Sequence, residues 1–270
     1  MQLSAGKIGE IMDIKILVAA HKTYRMPEDD IFMPVHVGAA GKESIGYQRD
    51  DEGENISLKN PYFCELTGLY WMWKNCDNEY NGLVHYRRYF ATRKHVAGNN
   101  PIDKIIKRAE LEKVLENTDI IVPKKRHYFI ETLYSHYAHT HYASHLDITR
   151  DILNKKCPEY LPAFDKVMKR SWGYMFNMMI MKRNRLNEYC EWLFPILFEL
   201  EEKVDVSEYD AFQARLFGRV SELLLNVWLV HNKYPFKEQP TITMEKLDWN
   251  RKAKSFLRAK FSGKKYDKSF

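Results

Sequence analysis

Cysteine is scarce and scattered. Cys64, Cys76, Cys157 and Cys190 occur without CxxC spacing, which argues against a zinc ribbon or a disulfide framework and favours a reducing cytoplasm. Long apolar runs are missing as well. No stretch approaches the roughly 20 residues that span a bilayer, and the N-terminal residues lack the uninterrupted apolar core of a signal peptide. The expectation is a cytoplasmic protein that is soluble or rests on a membrane surface. The HExxH zinc motif is also absent, although His141 and His145 stand four apart on an expected helix. A metal site there is disfavoured against an acceptor-binding surface or a structural layer of aromatic and histidine side chains.

What is present supports a sizeable core: 45% of the 270 residues are hydrophobic, enough for one large α/β domain or two small ones. Aromatic residues reach 14%, with 17 Tyr and 6 Trp, more than packing usually needs, so carbohydrate, base or interface contacts stand beside a simple aromatic core. The net charge of +6 is uneven. Nine Lys or Arg face two Asp between Lys246 and Phe270, so this segment carries +7 and the rest of the chain −1. A near-neutral domain, 13–244, is expected to end in a basic aromatic tail, 245–270, suited to an anionic membrane surface. Nucleic-acid binding would give a similar composition, and a solvated tail is the plain alternative.

Ile14 to Ala20 (IKILVAA) reads as a buried parallel strand, with His21 and Lys22 at its carboxyl end, where ligands bind in open α/β sheets. An ordinary solvated loop explains these two residues equally well. Met33 to Val37 is a short second strand, and Asp50 and Asp51 close the connection after it. Such a pair can hold a divalent metal against a diphosphate, but adjacent side chains diverge on extended backbone, so a sugar or base contact is preferred. Asn55, Lys59 and Asn60 precede an expected helix from Pro61 to Asn75, whose free N–H groups suit a phosphate. Glu65 lies beside the apolar stripe Leu66, Leu69, Tyr70 and Trp73 and must be hydrogen-bonded or exposed.

Leu83 and Val84 open a strand that ends in His85, Tyr86, Arg87 and Arg88. On extended backbone His85 and Arg87 share one face, Tyr86 and Arg88 the other. Arginine binds phosphate oxygens in a fork, so the pair can replace a metal, although a salt-bridged surface explains it slightly better at this point. A helix at Ile102–Glu116 and a strand at Asp119–Val122 complete a β-α-β pattern. The run Trp172–Met181 is strand-like but interrupted by Asn177, which fixes a loop or touches a ligand. Helices are expected at Leu186–Glu202 and Ala211–Val230. In the second, Glu222 follows Arg215 by two turns and reads as a buried salt-bridge partner or a base.

The stretch DEGENISLKNPYFCELTGLYWMWKN followed by GLVHYRRYF closely resembles the family once called domain of unknown function 4422, now recognised as glycosyltransferase family 111. Weaker likeness runs from KILVAAHK through WGYMFNMMIMKR to LFGRVSELLLNVWL. The resemblance implies a GT-A-like, Rossmann-type mixed sheet flanked by helices, with a helical C-terminal part. It also implies an inverting, nucleotide-sugar-dependent transferase of bacterial capsule, exopolysaccharide or O-antigen assembly, with galactofuranose from UDP-galactofuranose as the donated sugar. Leu58 and His145 depart from the family pattern, where acidic residues are common.

On this reading the donor is met by His21, Lys22, Asn55, Lys59, Asn60, His85, Arg87, Arg88 and Asn177. The general base lies among Asp51, Glu65, His141, Asp147 and Glu222. No metal is required, although Mg or Mn would be compatible. The expected partners are the nucleotide sugar and a glycan acceptor, lipid-linked in one version, with peripheral contact at the inner face of the cell membrane through the tail and no nucleic acid. The rivals are a metal-dependent transferase of another sugar using Asp50 and Asp51, and a non-enzymatic nucleic-acid- or membrane-binding protein.

Overall fold

The computed structural model describes residues 11–245, so the basic tail lies outside the described residues except for its first residue. Strand β1 (Ile14–Ala20) is followed by β2 (Phe32–His36), β3 (Gln48–Arg49), the single-turn helix α1 (Asn60–Phe63) and α2 (Leu66–Asn75). Next come β4 (Tyr80–His85), β5 (Arg88–Phe90), α3 (Arg108–Leu115), β6 (Ile120–Pro123) and β7 (Arg126–His127). The chain continues through α4 (Leu133–Thr140), α5 (Ser144–Lys156), α6 (Leu161–Met168), β8 (Trp172–Gly173) and β9 (Met179–Lys182). It closes with α7 (Arg183–Lys203), α8 (Leu216–Asn232), β10 (Lys237–Gln239) and β11 (Thr241–Thr243).

The main sheet runs β10-β6-β9-β4-β1-β2-β3, with β5 attached to β4 and β11 to β5. β1, β2, β3 and β4 pair in parallel, as do β6 and β10, while β9 runs antiparallel between β4 and β6. This is the expected mixed α/β sheet.

From Ile16 onward the apolar run of β1 is continuous because both faces are covered. Leu17 and Ala19 join the core beneath α2, α7 and α8, and Ile16, Val18 and Ala20 join the opposite core with Ile180 and Leu111. Gly68 lets α2 approach the sheet closely. A Cβ there would lie 2.9 Å from Val37 Cγ1 and 3.2 Å from Leu17 Cδ2. No helix among the described residues is long and apolar enough to cross a membrane.

Beyond the helices expected from Ile102 and Ala211, which begin later, at Arg108 and Leu216, three elements depart from the sequence expectation. The helix expected to run from Pro61 to Asn75 breaks at Cys64, whose φ of 54° lies in the left-handed region. The chain past Val84 does not stay extended: it reverses at Tyr86 and Arg87, so His85 pairs directly with Arg88. The run Trp172–Met181 is two short strands separated by Phe176 and Asn177, both left-handed at φ 80° and 49°. A left-handed residue without a glycine's freedom costs on the order of 1–3 kcal/mol.

Candidate functional site

The carboxyl ends of β1 and β4 gather one set of side chains. Tyr24 is held by the Tyr47 hydroxyl, which accepts from its N–H at 3.0 Å and donates to its C=O at 2.9 Å. Its ring stacks on Tyr86 with centroids 3.7 Å apart, and His21 meets Tyr86 edge-on at 5.2 Å. Arg87 lies over the Tyr86 ring and its Nε donates to the Tyr86 hydroxyl. Burial, with a hydrogen bond to Tyr24, pushes the Tyr86 phenol up to about 12, so it stays protonated at neutral pH. His21 is held below its ordinary range by burial and then by Arg87, Lys22, Lys42 and Arg215. Four cations thus bear on one imidazole.

The β4–β5 reversal separates the two arginines. Arg87 is exposed and meets Glu245 at 3.4 Å. Arg88 turns inward, its guanidinium 3.6 Å over the Phe176 ring. Burial lowers its pKa, opposed by the charges of Glu222 and Glu65. His85 Nε2 contacts the Phe176 carbonyl at 2.5 Å. The expected pairing of His85 with Arg87 is therefore replaced by His85 with Arg88, because the turn makes them cross-strand neighbours. Among the described residues no carboxylate comes within ion-pair distance of Lys22, Lys42, Arg88 or Arg215.

The third side of the site is built by the helix break and the start of α8. Glu65 sits at the N-cap of α2, and its Oε1 accepts from Asn177 Nδ2 at 2.8 Å. The same amide nitrogen donates to the Gly218 carbonyl at 2.9 Å, tying the loop to α8. Arg215 donates from Nε to Cys64 Sγ at 3.0 Å and feels the charges of Glu65 and Glu222. Glu222 pairs with Arg219 at 3.4 Å rather than with Arg215. Tyr128 borders this pair. Burial raises its phenol to about 12, with Arg126, Glu222 and Arg219 as the charges that act on it.

The structure thus brings together His21, Lys22, His85, Arg87, Arg88, Asn177, Glu65 and Glu222 from the sequence-derived set. Others are engaged elsewhere. Asp50 is fully buried and accepts from the backbone of Gly38 and Ala39 and from the hydroxyls of Ser57 and Thr67 at 2.5–3.0 Å. Asp51 forms a two-point pair with Arg49 at 2.9 and 2.7 Å, which holds it below the usual carboxylate range. Asn55 bonds the carbonyls of Asp51 and Gly53 and accepts from Ser57 N. Lys59 gives its ammonium to both oxygens of Glu201 at 2.8 and 2.7 Å. Asn60 bonds Cys64 O and Thr67 Oγ1.

The phosphate-binding helix start expected behind Asn60 is altered too. Helix α1 is a single turn, and in α2 the N–H groups of Thr67, Gly68 and Leu69 are taken by the carbonyls of Cys64 and Glu65.

Asp147 accepts from the Tyr134 hydroxyl at 2.9 Å. His141 is buried, contacts Gln213 Oε1 at 3.0 Å and is lowered by burial to about 4, so it is neutral near pH 7. His145 lies between the hydroxyls of Tyr137 and Tyr209, each at 3.0 Å, while His136 and His139 both bond Glu131. His141 and His145 are therefore buried among aromatic and polar side chains, whereas His139 is largely exposed. No group of three or more His, Cys, Asp or Glu among the described residues is arranged to hold a metal ion.

Sequence reasoning passed over Tyr24, Lys42, Arg126, Tyr128, Arg215 and Arg219 as site residues. The available signal was the two arginines interrupting an apolar helix start; for Lys42 and Tyr24 none existed, since both reach the site from loops.

The domain of unknown function DUF4422 matches residues 15–233, and the chain belongs to that family. A solved structure, the bifunctional glycosyltransferase WbbM in its apo form, is similar at 31% identity over 87% of this chain with a TM-score of 0.80. The matched part is 46% of that protein's chain, so this chain corresponds to about half of it. The mixed, mostly parallel sheet flanked by helices is thus a fold found in a glycosyltransferase. No curated protein matches.

Proposed function

We propose that this chain is a glycosyltransferase of family 111 that moves galactofuranose from UDP-galactofuranose onto a growing bacterial surface polysaccharide, with inversion at the sugar carbon. The observation that carries the reading is the group of cations at the carboxyl ends of β1 and β4, of which Lys22, Lys42, Arg88 and Arg215 have no carboxylate within ion-pair distance among the described residues. Such groups are costly to hold together unless an anion joins them, and a nucleoside diphosphate supplies both the charge and, in its base, a partner for the Tyr24–Tyr86 stack. The likeness to WbbM supports the reaction class.

In the proposed displacement the acceptor hydroxyl loses its proton to a base as its oxygen bonds the anomeric carbon. The bond to the diphosphate breaks, and UDP leaves with the electron pair. Arg88, Arg87, Lys22, Lys42 and Arg215 stabilise that leaving charge. Asp50 and Asp51 already spend their oxygens on protein donors, which supports turnover that needs no Mg or Mn; chelator that abolishes transfer would refute this point. The acceptor is a glycan, lipid-linked in the version that has the protein dock peripherally on the cytoplasmic membrane face. Loss of binding to anionic vesicles on deleting 247–270 tests that docking.

The decisive experiment is a thermal-shift screen against UDP, UDP-galactopyranose and UDP-galactofuranose. Ligand at about 100 times its Kd adds about 2.7 kcal/mol of stability. A rise with UDP and its sugars, absent with adenosine diphosphate, is expected; no rise with any uridine ligand overturns the proposal.

A further inference from the structure

Within the transferase reading, on which this assignment rests, two carboxylates face the cation cluster, Glu65 and Glu222. Their surroundings differ. Glu222 has a guanidinium partner, Arg219, at 3.4 Å. Glu65 has a neutral partner, the Asn177 amide at 2.8 Å on Oε1, and no donor to Oε2 among the described residues. An acceptor hydroxyl can therefore approach Oε2 without displacing a protein contact.

The backbone around this contact departs from regular structure on both sides. Cys64, next to Glu65, is left-handed at φ 54° and breaks the helix there, and Phe176 and Asn177 are left-handed in succession. Strain of this kind persists only where the surroundings over-determine it, and it concentrates at functional sites. The surroundings here are the His85 contact to the Phe176 carbonyl, the Arg88 stack on the Phe176 ring, and the Asn177 bond to Gly218. Asn177 is completely buried, and its Oδ1 accepts no hydrogen bond. The direction of its amide is set instead by the two acceptors that its nitrogen serves.

We propose that Glu65 is the proton acceptor for the attacking hydroxyl and that Asn177 is its positioning residue. Asn177 fixes Oε1 and leaves Oε2 to take the proton. The proton moves from the hydroxyl to Oε2 as the new C–O bond forms and the diphosphate departs with its electron pair, so charge and atoms balance. The same Asn177 loop carries Phe176 against Arg88, which joins the base and the leaving-group cation through one strained turn.

The test uses the full chain and UDP release from UDP-galactofuranose with water as the acceptor, together with UDP affinity by calorimetry. Glu65→Gln is expected to keep UDP affinity, to lose about 100-fold or more in kcat, and to lose the acid limb of the pH–rate profile. Glu65→Asp should restore part of the rate. Asn177→Gly, which tolerates the left-handed backbone, is expected to lower kcat about tenfold with little change in KM. Glu222→Gln should retain the acid limb.

A wild-type chain that releases UDP while Glu65→Gln keeps its rate and its acid limb overturns this assignment alone. So does loss of the limb in Glu222→Gln instead. A wild-type chain that binds no UDP overturns the transferase reading and this assignment with it.

Discussion

Replacing Arg88 by methionine should separate binding from folding. The guanidinium lies 3.6 Å over the Phe176 ring with no carboxylate in ion-pair range among the described residues. Its contribution to the folded state is one cation–π contact, worth about 0.5–2 kcal/mol, with attraction to Glu222 and Glu65 beyond ion-pair distance. Against this stands the cost of desolvating an unpaired cation, several kcal/mol after relaxation. Methionine keeps the apolar contact without the charge, so the free protein should be as stable as wild type or more so, with Tm unchanged or raised by about 2–4 °C per kcal/mol gained.

Catalysis should move the other way. A preorganised donor to developing charge contributes about 3–4 kcal/mol, or roughly 10²–10³ in rate. The neighbouring Arg87→Met is the internal control. Its side chain is exposed and meets the exposed Glu245 at 3.4 Å, so a loss of no more than about tenfold is expected. Calorimetric Tm and kcat/KM for UDP release read both quantities on one preparation. A destabilised Arg88→Met that retains activity, or equal losses for the two arginines, would refute the reasoning.

Further outcomes follow from the same geometry. His141 has a folded pKa of about 4 against an ordinary value of about 6.5. The unfolded chain therefore binds the proton first, and stability falls as pH drops below about 6.5, by about 2 kcal/mol between pH 7 and 5. His141→Leu should be less stable at pH 7, yet lose about 2 kcal/mol less over that interval in urea titrations; an unchanged pH dependence would contradict the burial argument.

Asp50→Ala strands four buried donors and should cost about 3–5 kcal/mol in urea unfolding; a cost below about 1 kcal/mol would mean that the site collapses around the loss. Lys59→Met should change UDP affinity less than about threefold, since Glu201 already neutralises the ammonium. A loss near 100-fold would return Lys59 to the donor site.

Parts of this arrangement were readable because local rules suffice for them. The run Ile14–Ala20 is a strand with the expected bounds, since its part covered on both faces, Ile16–Ala20, must be apolar. His21 and Lys22 could be placed at the carboxyl end of β1 because they directly follow that apolar run. The cationic sequence His85–Arg88 was visible as a concentration of donors. What each donor faces was not, because the reversal at Tyr86 and Arg87 carries no glycine or asparagine signal. Asp50 and Asp51 illustrate the same limit. Adjacent acids look alike in a sequence, yet one fastens a buried loop and the other pairs with Arg49.

The amino-acid sequence by itself determined the α/β class, the family signature and the strands whose burial dictates their composition. Only the tertiary structure decided that Lys59 turns to Glu201, that His141 is buried and neutral, and that Cys64, Phe176 and Asn177 adopt left-handed backbone to bring Glu65 and Arg88 together. The reason is physical. Strained backbone and unpaired charge are locally unfavourable, so no local propensity signals them, and they persist only because contacts from β4, α2 and α8 converge on the same few residues.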